Sequence, residues 1–410
     1  MRIEDGGAPG LNGLPVAEGM SISHWLQTVR SDPLLDHRTT RDLPDSAEAV
    51  VIGSGILSNE GETLEALIDY VRTNDVQCDL WTGKTLDVLM DTESASVAAK
   101  TFTAFAAAGG DTSKVEVTTT PAEAAKKSRL PGAQAAYAWD AATLHPWKLV
   151  AHVIRQCLDL GLNLQTWTPA TTITGSAGQW IVHTPRGAIT ATTVIHATNA
   201  YAGALLPEIR GIIEPMPHMC NRVIPPSTFS GSQALQNSYA VIYKDALYSV
   251  NPRSTSDGNI LIGGSAKNID RLREYVDEKV DRKTDDRLVD FEPITTSVRQ
   301  LCDTGFQWDS DLGRRGAPVR YDHAWSGILG MSADTVPFVG TVPGKHGQWM
   351  CCGHNGHGMA RIFTCAPALA KLIGGATWAD TELPDCFQVT KQRLAWLATV
   401  VSGVDIRASL

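Results

Sequence analysis

The chain has 410 residues, of which 43 % are apolar and 19 % are charged, and it contains 36 glycines and 21 prolines. This composition is typical of a globular protein with a large core, and it excludes disorder, collagen and coiled coil as the main architecture. The length predicts two or three domains or one large two-part α/β fold. The 35 basic and 44 acidic side chains give a net charge of −9, so we expect neither nucleic acid nor a membrane surface as a partner.

The cysteines and the two chain ends bear on the cellular compartment. The eight cysteines include no CxxC pair, and we interpret them as reduced thiols of an intracellular protein. The first residues lack the apolar stretch of a secretory signal, and no apolar run reaches the length of a membrane span. We therefore expect a cytoplasmic protein. The C-terminal Ala408-Ser409-Leu410 matches a peroxisomal address only in part, because its middle residue is not basic.

The first structured segment predicts a strand, a glycine turn and a helix. Residues 1–46 are interpreted as an extended N-terminal arm, and residues 50–52 as a buried parallel strand that leads into Gly53-Ser54-Gly55-Ile56. Residues 60–72 have apolar side chains at helical spacing. Such a turn places backbone amides against a pyrophosphate, although Ser58 stands where a third glycine is usual. A tight turn that binds nothing remains the alternative.

A complete dinucleotide fingerprint also needs an acidic residue at the end of a second strand, to bind the ribose. Residues 76–81 are predicted to form a short strand, and Asp79 is the acid at suitable range. On this interpretation residues 50–81 form a compact βαβ unit. However, Glu60 and Glu62 lie where the phosphates would bind, and their carboxylates would repel a pyrophosphate.

The rest of the chain alternates between helices and strands. Helices are predicted at 93–108 and from Pro146 to a stop at Gly161. Strands are predicted at 163–168, 171–174, 180–184 and 189–198, and residues 215–265 are strand-rich. The charged stretch 269–290 is typical of a solvated helix or loop.

Two later strand ends carry further signals for ligand binding. The strand at 193–198 ends in Ala197-Thr198-Asn199, where the backbone could pass close to a dinucleotide or could simply turn. Residues 349–361 form a strand followed by three closely spaced glycines and then a helix at 366–373, a pattern that presents bare amides and the positive end of a helix dipole. His354 and His357 have no third ligand nearby, so no metal site is expected.

Five segments in order resemble one enzyme family: PDSAEAVVIGSGI, ATLHPWKLVAHVIRQCLDLGLNLQT, TVIHATNAYAGALLPEIRG, WSGILGMSADTVPFVG and CCGHNGHGMARI. Together they resemble the FAD-dependent D-amino-acid oxidase, glycine oxidase and sarcosine oxidase family, in particular its fungal branch, over roughly residues 20–385. The resemblance implies an α/β fold with a Rossmann-like FAD-binding domain and a mainly antiparallel substrate domain. It also implies oxidation of the C–N bond of an amino acid or amine, with hydride transfer to the flavin and re-oxidation by oxygen.

The resemblance implies the domain boundaries and the site residues. An N-terminal arm (1–46) would precede a discontinuous FAD-binding domain (47–60, 141–212 and 325–410) and a substrate domain (61–140 and 213–324). The implied FAD-binding residues are Gly53, Gly55, Ile56, Ala197, Thr198, Asp334, Pro337, Gly340, Gly353, Gly356, His357, Gly358 and Met359. The implied catalytic residues are His357, Arg361 and Arg320, and Arg299, Arg320 and Arg361 are candidate clamps for a substrate carboxylate.

The chain also departs from the family pattern. Gly327 replaces the cysteine that tethers flavin in some relatives, which implies non-covalent FAD, and Ala360 replaces a lysine. After Ile56 the chain passes directly to a segment that resembles the entry of the family's substrate domain. The second βα unit with its ribose acid would then be missing, Asp79 would not replace it, and FAD binding would be weakened. An inactive remnant that acts as a binding protein and an NAD-type dehydrogenase using Asp79 are the alternatives.

Overall fold

The structure is a computed structural model that describes residues 13–14, 21–52, 62–308, 321 and 323–403. In this part of the chain fourteen strands form two sheets, and ten α-helices surround them. The strands are β1 (Ser46–Ile52), β2 (Trp81–Leu89), β3 (Glu116–Thr118), β4 (Ala135–Thr143), β5 (Thr172–Ser176), β6 (Gln179–Thr184), β7 (Gly187–His196), β8 (Ile213–Val223), β9 (Ser238–Tyr243), β10 (Ala246–Pro252), β11 (Ile260–Gly263), β12 (His323–Ser332), β13 (Phe338–Thr341) and β14 (Gln348–Cys352). The helices are α1 (His24–Gln27), α2 (Glu62–Thr73), α3 (Thr92–Ala107), α4 (Pro121–Ser128), α5 (Pro146–Asp159), α6 (Ala202–Leu205), α7 (Ile269–Asp277), α8 (Glu292–Gln300), α9 (Ile362–Ile373) and α10 (Lys391–Gly403). None of these helices is both long and apolar enough to cross a bilayer.

The first sheet is built around β7. Its order is β13-β14-β7-β6-β5, and β1 also lies beside β7. β7 pairs in parallel with β1 and with β14, and both Ile52 and Met350 align with His196. The carboxyl ends of β1, β7 and β14 therefore meet at one edge of the sheet, which is where open α/β sheets bind their ligands.

The second sheet is mainly antiparallel, with the order β12-β8-β11-β10-β9-β2-β4-β3. One face packs against α4, α7 and α8 in the largest core cluster, which includes Leu86, Val241 and Ile262. These two sheets confirm the predicted α/β fold class. The helices predicted at 60–72, at 93–108 and from Pro146 are present as α2, α3 and α5.

The strand predicted at 76–81 is wrong. Residues 76–80 are irregular backbone, and β2 begins only at Trp81 and belongs to the second sheet. Val76 and Cys78 are buried in a small cluster between α2 and α5, so their apolar character reflects burial of irregular backbone rather than a strand. Asp79 is therefore not at the end of a strand beside β1. The strand predicted at 163–168 is also wrong, because the segment makes only one isolated bridge, between Gln165 and Arg38.

One edge of β1 has no strand partner among the described residues, since β1 pairs only with β7. Residues 53–61 are all that separate β1 from α2, which is fewer than the ~10–12 residues that a parallel crossover needs. The next described helix, α2, leads to β2 in the other sheet and not to a strand beside β1. Val51 on this open edge is 56 % exposed.

Candidate functional site

The loop after β14 lies at the edge where the three parallel strands end. Gly353, Asn355 and Gly356 all have left-handed backbone, with φ of +73°, +58° and +73°. Glycine accepts this conformation without a steric cost, and asparagine tolerates it. At position 353 a Cβ atom would also approach Ile213 to 3.0 Å, so this turn requires glycine both for its conformation and for its packing.

Two asparagines hold the loop in place. The Asn199 Oδ1 accepts hydrogen bonds from the backbone N–H groups of Gly353 and His354, at 3.0 and 3.1 Å. The Asn355 Oδ1 accepts a bond of 2.7 Å from the Ser332 N–H, and its amide donates to the Gly353 carbonyl. The amide of Gly353 is therefore already occupied by the protein, which corrects the expectation that it contributes a free donor.

Other amides of the loop are available to a ligand. The N–H groups of Gly356, Gly358 and Met359 donate to no acceptor among the described residues. Met359 is 40 % exposed, and α9 begins three residues later. These donors stand beside the ends of β1, β7 and β14, so an anionic or carbonyl-bearing ligand can bind to them. We call residues 353–359 the amide loop.

Arg361 supplies an uncompensated positive charge next to the amide loop. Its Nη1 is buried and has no hydrogen-bond partner among the described residues. Burial, and then the charge of Arg361, lower the pKa of His354 to about 4, so His354 is neutral at physiological pH. A buried guanidinium nitrogen without a hydrogen-bond acceptor is unfavourable, and a carboxylate or phosphate oxygen would satisfy it.

The His357 side chain is exposed, and a hydrogen bond within the amide loop fixes its orientation. Its Nδ1 lies 2.9 Å from the backbone carbonyl of Asn355, so Nδ1 carries the proton and donates it. The Nε2 atom has no partner among the described residues and can accept a proton.

The end of β7 joins the neighbouring strands. The Ala197 N–H donates to the Ile52 carbonyl at 2.9 Å, and the Thr198 Oγ1 lies 3.9 Å from the Cys352 Sγ. Burial lowers the pKa of His196 to about 4, and its Nε2 lies 3.0 Å from the Gln348 Oε1. A neutral His196 thus ties β7 to β14 just below the strand ends.

Asp334, Pro337 and Gly340 lie in the turn between β12 and β13 and in β13 itself. Arg393 of α10 binds both carboxylate oxygens of Asp334, at 2.9 and 3.1 Å, and donates to the Pro337 carbonyl at 2.9 Å. The Arg393 guanidinium also lies 3.8 Å from the ring centroid of Phe338. The Asp334 carboxylate is thus paired within the protein, and its visible role is to hold this turn against α10.

Asp79 lies in a separate ion-pair cluster. Burial raises its pKa, but the hydrogen bonds and charges of Lys148 and Arg253, at 2.6 and 2.9 Å, lower it overall. The buried Arg253 also lies 4.6 Å from the ring centroid of Trp25. The Asp79 carboxylate therefore pairs with the side chains of Lys148 and Arg253 rather than with a ribose.

The N-terminal arm contributes to this cluster, which the sequence reasoning missed. The buried His24 has its Nε2 3.3 Å from an Asp257 carboxylate oxygen, and the Ser21 hydroxyl donates to the Ser326 carbonyl of β12 at 3.0 Å. The described part of the arm is thus packed on the second sheet rather than merely extended. No local pattern signalled this, because the contacts join residues that are distant in the chain.

Several predicted site residues lie elsewhere or cannot be placed. Gly53, Gly55, Ile56 and Arg320 lie outside the described residues. Arg299 of α8 is exposed, and its guanidinium lies 5.3 Å from the ring centroid of Tyr321. Of the three candidate carboxylate clamps, the described structure brings only Arg361 to the loop. It contains no cluster of three side chains that could hold a metal ion.

A family model described as DAO, FAD dependent oxidoreductase, matches residues 39–374. The chain belongs to this family. Its members are flavoproteins that bind FAD, as the predicted resemblance implied. The match spans both sheets and the amide loop.

Individual proteins agree with this assignment. A probable oxidoreductase OrdL from Rhizobium meliloti (strain 1021) is 27 % identical over 275 residues, which cover 64 % of this chain and 56 % of that protein. The match thus spans little more than half the length of this curated relative. Glycine oxidase from Geobacillus kaustophilus has a TM-score of 0.61 at 18 % identity and covers 80 % of each chain. An L-amino acid deaminase from Proteus vulgaris, lacking its specific insertion, has a TM-score of 0.62 at 15 % identity and covers 90 % of this chain and 99 % of that chain. These two structures share the fold.

The described residues fit one end of FAD better than the other. The unbonded amides of the amide loop and the buried, unpartnered Nη1 of Arg361 suit the electron-rich edge of an isoalloxazine or an anion beside it. On the adenosine side, the open edge of β1 has neither a second strand nor a ribose-binding acid among the described residues. The fit is therefore good at the flavin and incomplete at the adenosine.

Proposed function

We propose that this oxidoreductase oxidises the C–N bond of an amino acid or amine, with oxygen as the final electron acceptor. The observation that carries the proposal is the meeting of three parallel strand ends with the unbonded amides of the amide loop and the unpaired Arg361. This arrangement supplies donors for a flavin and a cation for a carboxylate at one edge of a sheet.

Each group would have a distinct task. Bound FAD supplies the acceptor for the hydride. The N–H groups of Gly356, Gly358 and Met359 would donate to the flavin edge and stabilise negative charge there. Arg361 would bind the substrate carboxylate, and the Nε2 of His357 would accept a proton from the substrate ammonium group.

The cofactor would be held without a covalent bond, because Gly327 stands where some relatives carry the tethering cysteine. It would also be held weakly, since no residue of the described structure replaces the ribose acid. The lack of a ribose acid among the described residues favours one other candidate function, that of a remnant that binds small acids without flavin. The dehydrogenase alternative lacks support, because Asp79 is already paired with Lys148 and Arg253.

The visible spectrum separates these functions. The purified chain is incubated with excess FAD, desalted and examined for the two flavin absorption bands between about 350 and 480 nm. Retained flavin, together with peroxide release from a panel of amino acids, would support the oxidase. A colourless protein that never quenches FAD fluorescence would favour the remnant.

A variant tests the role of Arg361. Arg361→Gln should raise KM for amino acids and leave KM for amines without a carboxylate nearly unchanged, because only the former need the guanidinium. Arg271→Gln on α7 is the matched control, since Arg271 is exposed and pairs with the exposed Glu274. Equal effects of Arg361→Gln on both substrate classes would contradict the assignment.

A further inference from the structure

A cavity lies between α3 and the face of the second sheet that is formed by β2, β4 and β9. Its volume is about 570 Å³. Its walls are mainly apolar and aromatic, and they include Val97, Phe102, Phe105, Tyr137, Trp139 and Ile242. A cavity of this size and character is typical of a site for a small organic molecule.

The cavity exists because α3 covers the sheet only loosely. Ser94 is the only buried residue of this sixteen-residue helix. Val97 and Phe105 line the cavity and remain 57 % and 52 % exposed. An amphipathic helix normally buries such side chains against its sheet, so this apolar surface is left available to a ligand.

One carboxylate in the wall has no partner. Alternation along β2 directs Leu86 and Val88 into the main core, whereas Asp87 and Leu89 line the cavity. Asp87 is aligned with Tyr137 on β4, and it makes no hydrogen bond or ion pair with any described residue. Burial raises the pKa of Asp87 to about 6.

The other charged residues of the wall compensate each other. The Lys244 Nζ lies 2.7 Å from a Glu93 carboxylate oxygen, and both side chains are well exposed at the rim. Asp87 is therefore the uncompensated charge of the described cavity wall. A half-buried carboxylate without a donor is unfavourable, and aromatic rings around it favour a cation.

From this geometry we propose that the cavity binds a small organic cation, whose ammonium group pairs with Asp87 while its apolar or aromatic body fills the space beneath α3. The charge of the wall, its aromatic lining and its volume all match such a ligand.

This site is distinct from the flavin site. Five steps between neighbouring strands separate β2 from β12, which lies beside the amide loop, and at ~4.8 Å per step they span about 24 Å. The proposal therefore does not depend on bound FAD, and its failure would leave the proposed oxidase function untouched.

The test uses 2-phenylethylammonium as the probe and isothermal titration calorimetry on the full chain at pH 7.5, where Asp87 is ionised. We expect saturable binding that weakens about tenfold or more in Asp87→Asn and for the uncharged analogue 2-phenylethanol. Asp140→Asn is the matched control, because Asp140 is an exposed carboxylate on the adjacent strand that pairs with Lys84. It should leave the affinity unchanged.

The choice of variants separates a loss of ligand binding from a loss of folding. Asp87→Asn keeps the shape of the side chain and removes a half-buried charge that has no partner among the described residues, so its unfolding midpoint should not fall. A second variant, Ala98→Trp, fills the cavity from α3 and should also abolish binding. Absence of binding to the unmodified chain, or equal affinity of the cation and the alcohol, would overturn the proposal.

Discussion

The unpartnered Asp87 leads to a quantitative prediction about the free energy of unfolding. Its pKa is raised from 3.8 to about 6 by burial alone, so the ionised form costs the folded state ~3 kcal/mol. The folded state holds this proton more tightly than the unfolded state. Asp87 therefore does not lower the free energy of unfolding below pH ~4, and it lowers it increasingly as the pH rises towards 6. Above that pH the cost is constant. Asp87→Asn removes the charge and keeps the side-chain volume.

The expected gain is therefore dependent on pH. Relative to the unmodified chain, Asp87→Asn should be more stable by ~3 kcal/mol at pH 8 and by only ~1 kcal/mol at pH 4.5. Urea unfolding followed by circular dichroism measures both values. Asp140→Asn, which removes an exposed ion pair, should change stability by less than ~1 kcal/mol at either pH. A gain that is the same at both pH values, or a loss at pH 8, would refute the assignment of an unpaired carboxylate.

Three further predictions concern the first sheet and its loop. Arg393→Met leaves the Asp334 carboxylate without its partner and should cost ~3 kcal/mol in urea unfolding. Asn199→Ala removes the acceptor of two loop amides and should cost ~1–3 kcal/mol, whereas Asn199→Asp keeps an acceptor and should cost less. Val51→Lys places a charge on the open edge of β1 and should reduce aggregation in light scattering without lowering the unfolding midpoint.

Local patterns predicted the parts of the site that are local in sequence. The strand before Gly353, the glycine loop and the helix after it all follow from residues within one short stretch. The contacts that order the loop could not be predicted in this way, because Asn199 and Gly353 are 154 positions apart and Arg393 and Asp334 are 59 apart. The absence of a second βα unit was predicted from the resemblance, because the segment after Ile56 resembles the entry of the family's substrate domain.

The dependence on contacts between distant residues also explains the predictions that were wrong. The apolar residues around Asp79 predicted a strand, but burial between two helices imposes the same pattern without sheet pairing. The amide of Gly353 was predicted to be free, because its acceptor comes from the distant Asn199. The cavity beside Asp87 exists because α3 packs loosely on the sheet. The sequence of β2 alone does not predict how closely α3 packs.

The central claim is that the amide loop and the ends of β1, β7 and β14 together bind a flavin. Hydrogen–deuterium exchange of the chain with and without excess FAD tests it directly. FAD should slow exchange in peptides that cover residues 353–361 and the carboxyl end of β7, and should leave α3 and the Asp87 cavity unaffected. Unchanged exchange in the amide loop while FAD is bound, or protection confined to the second sheet, would contradict the account.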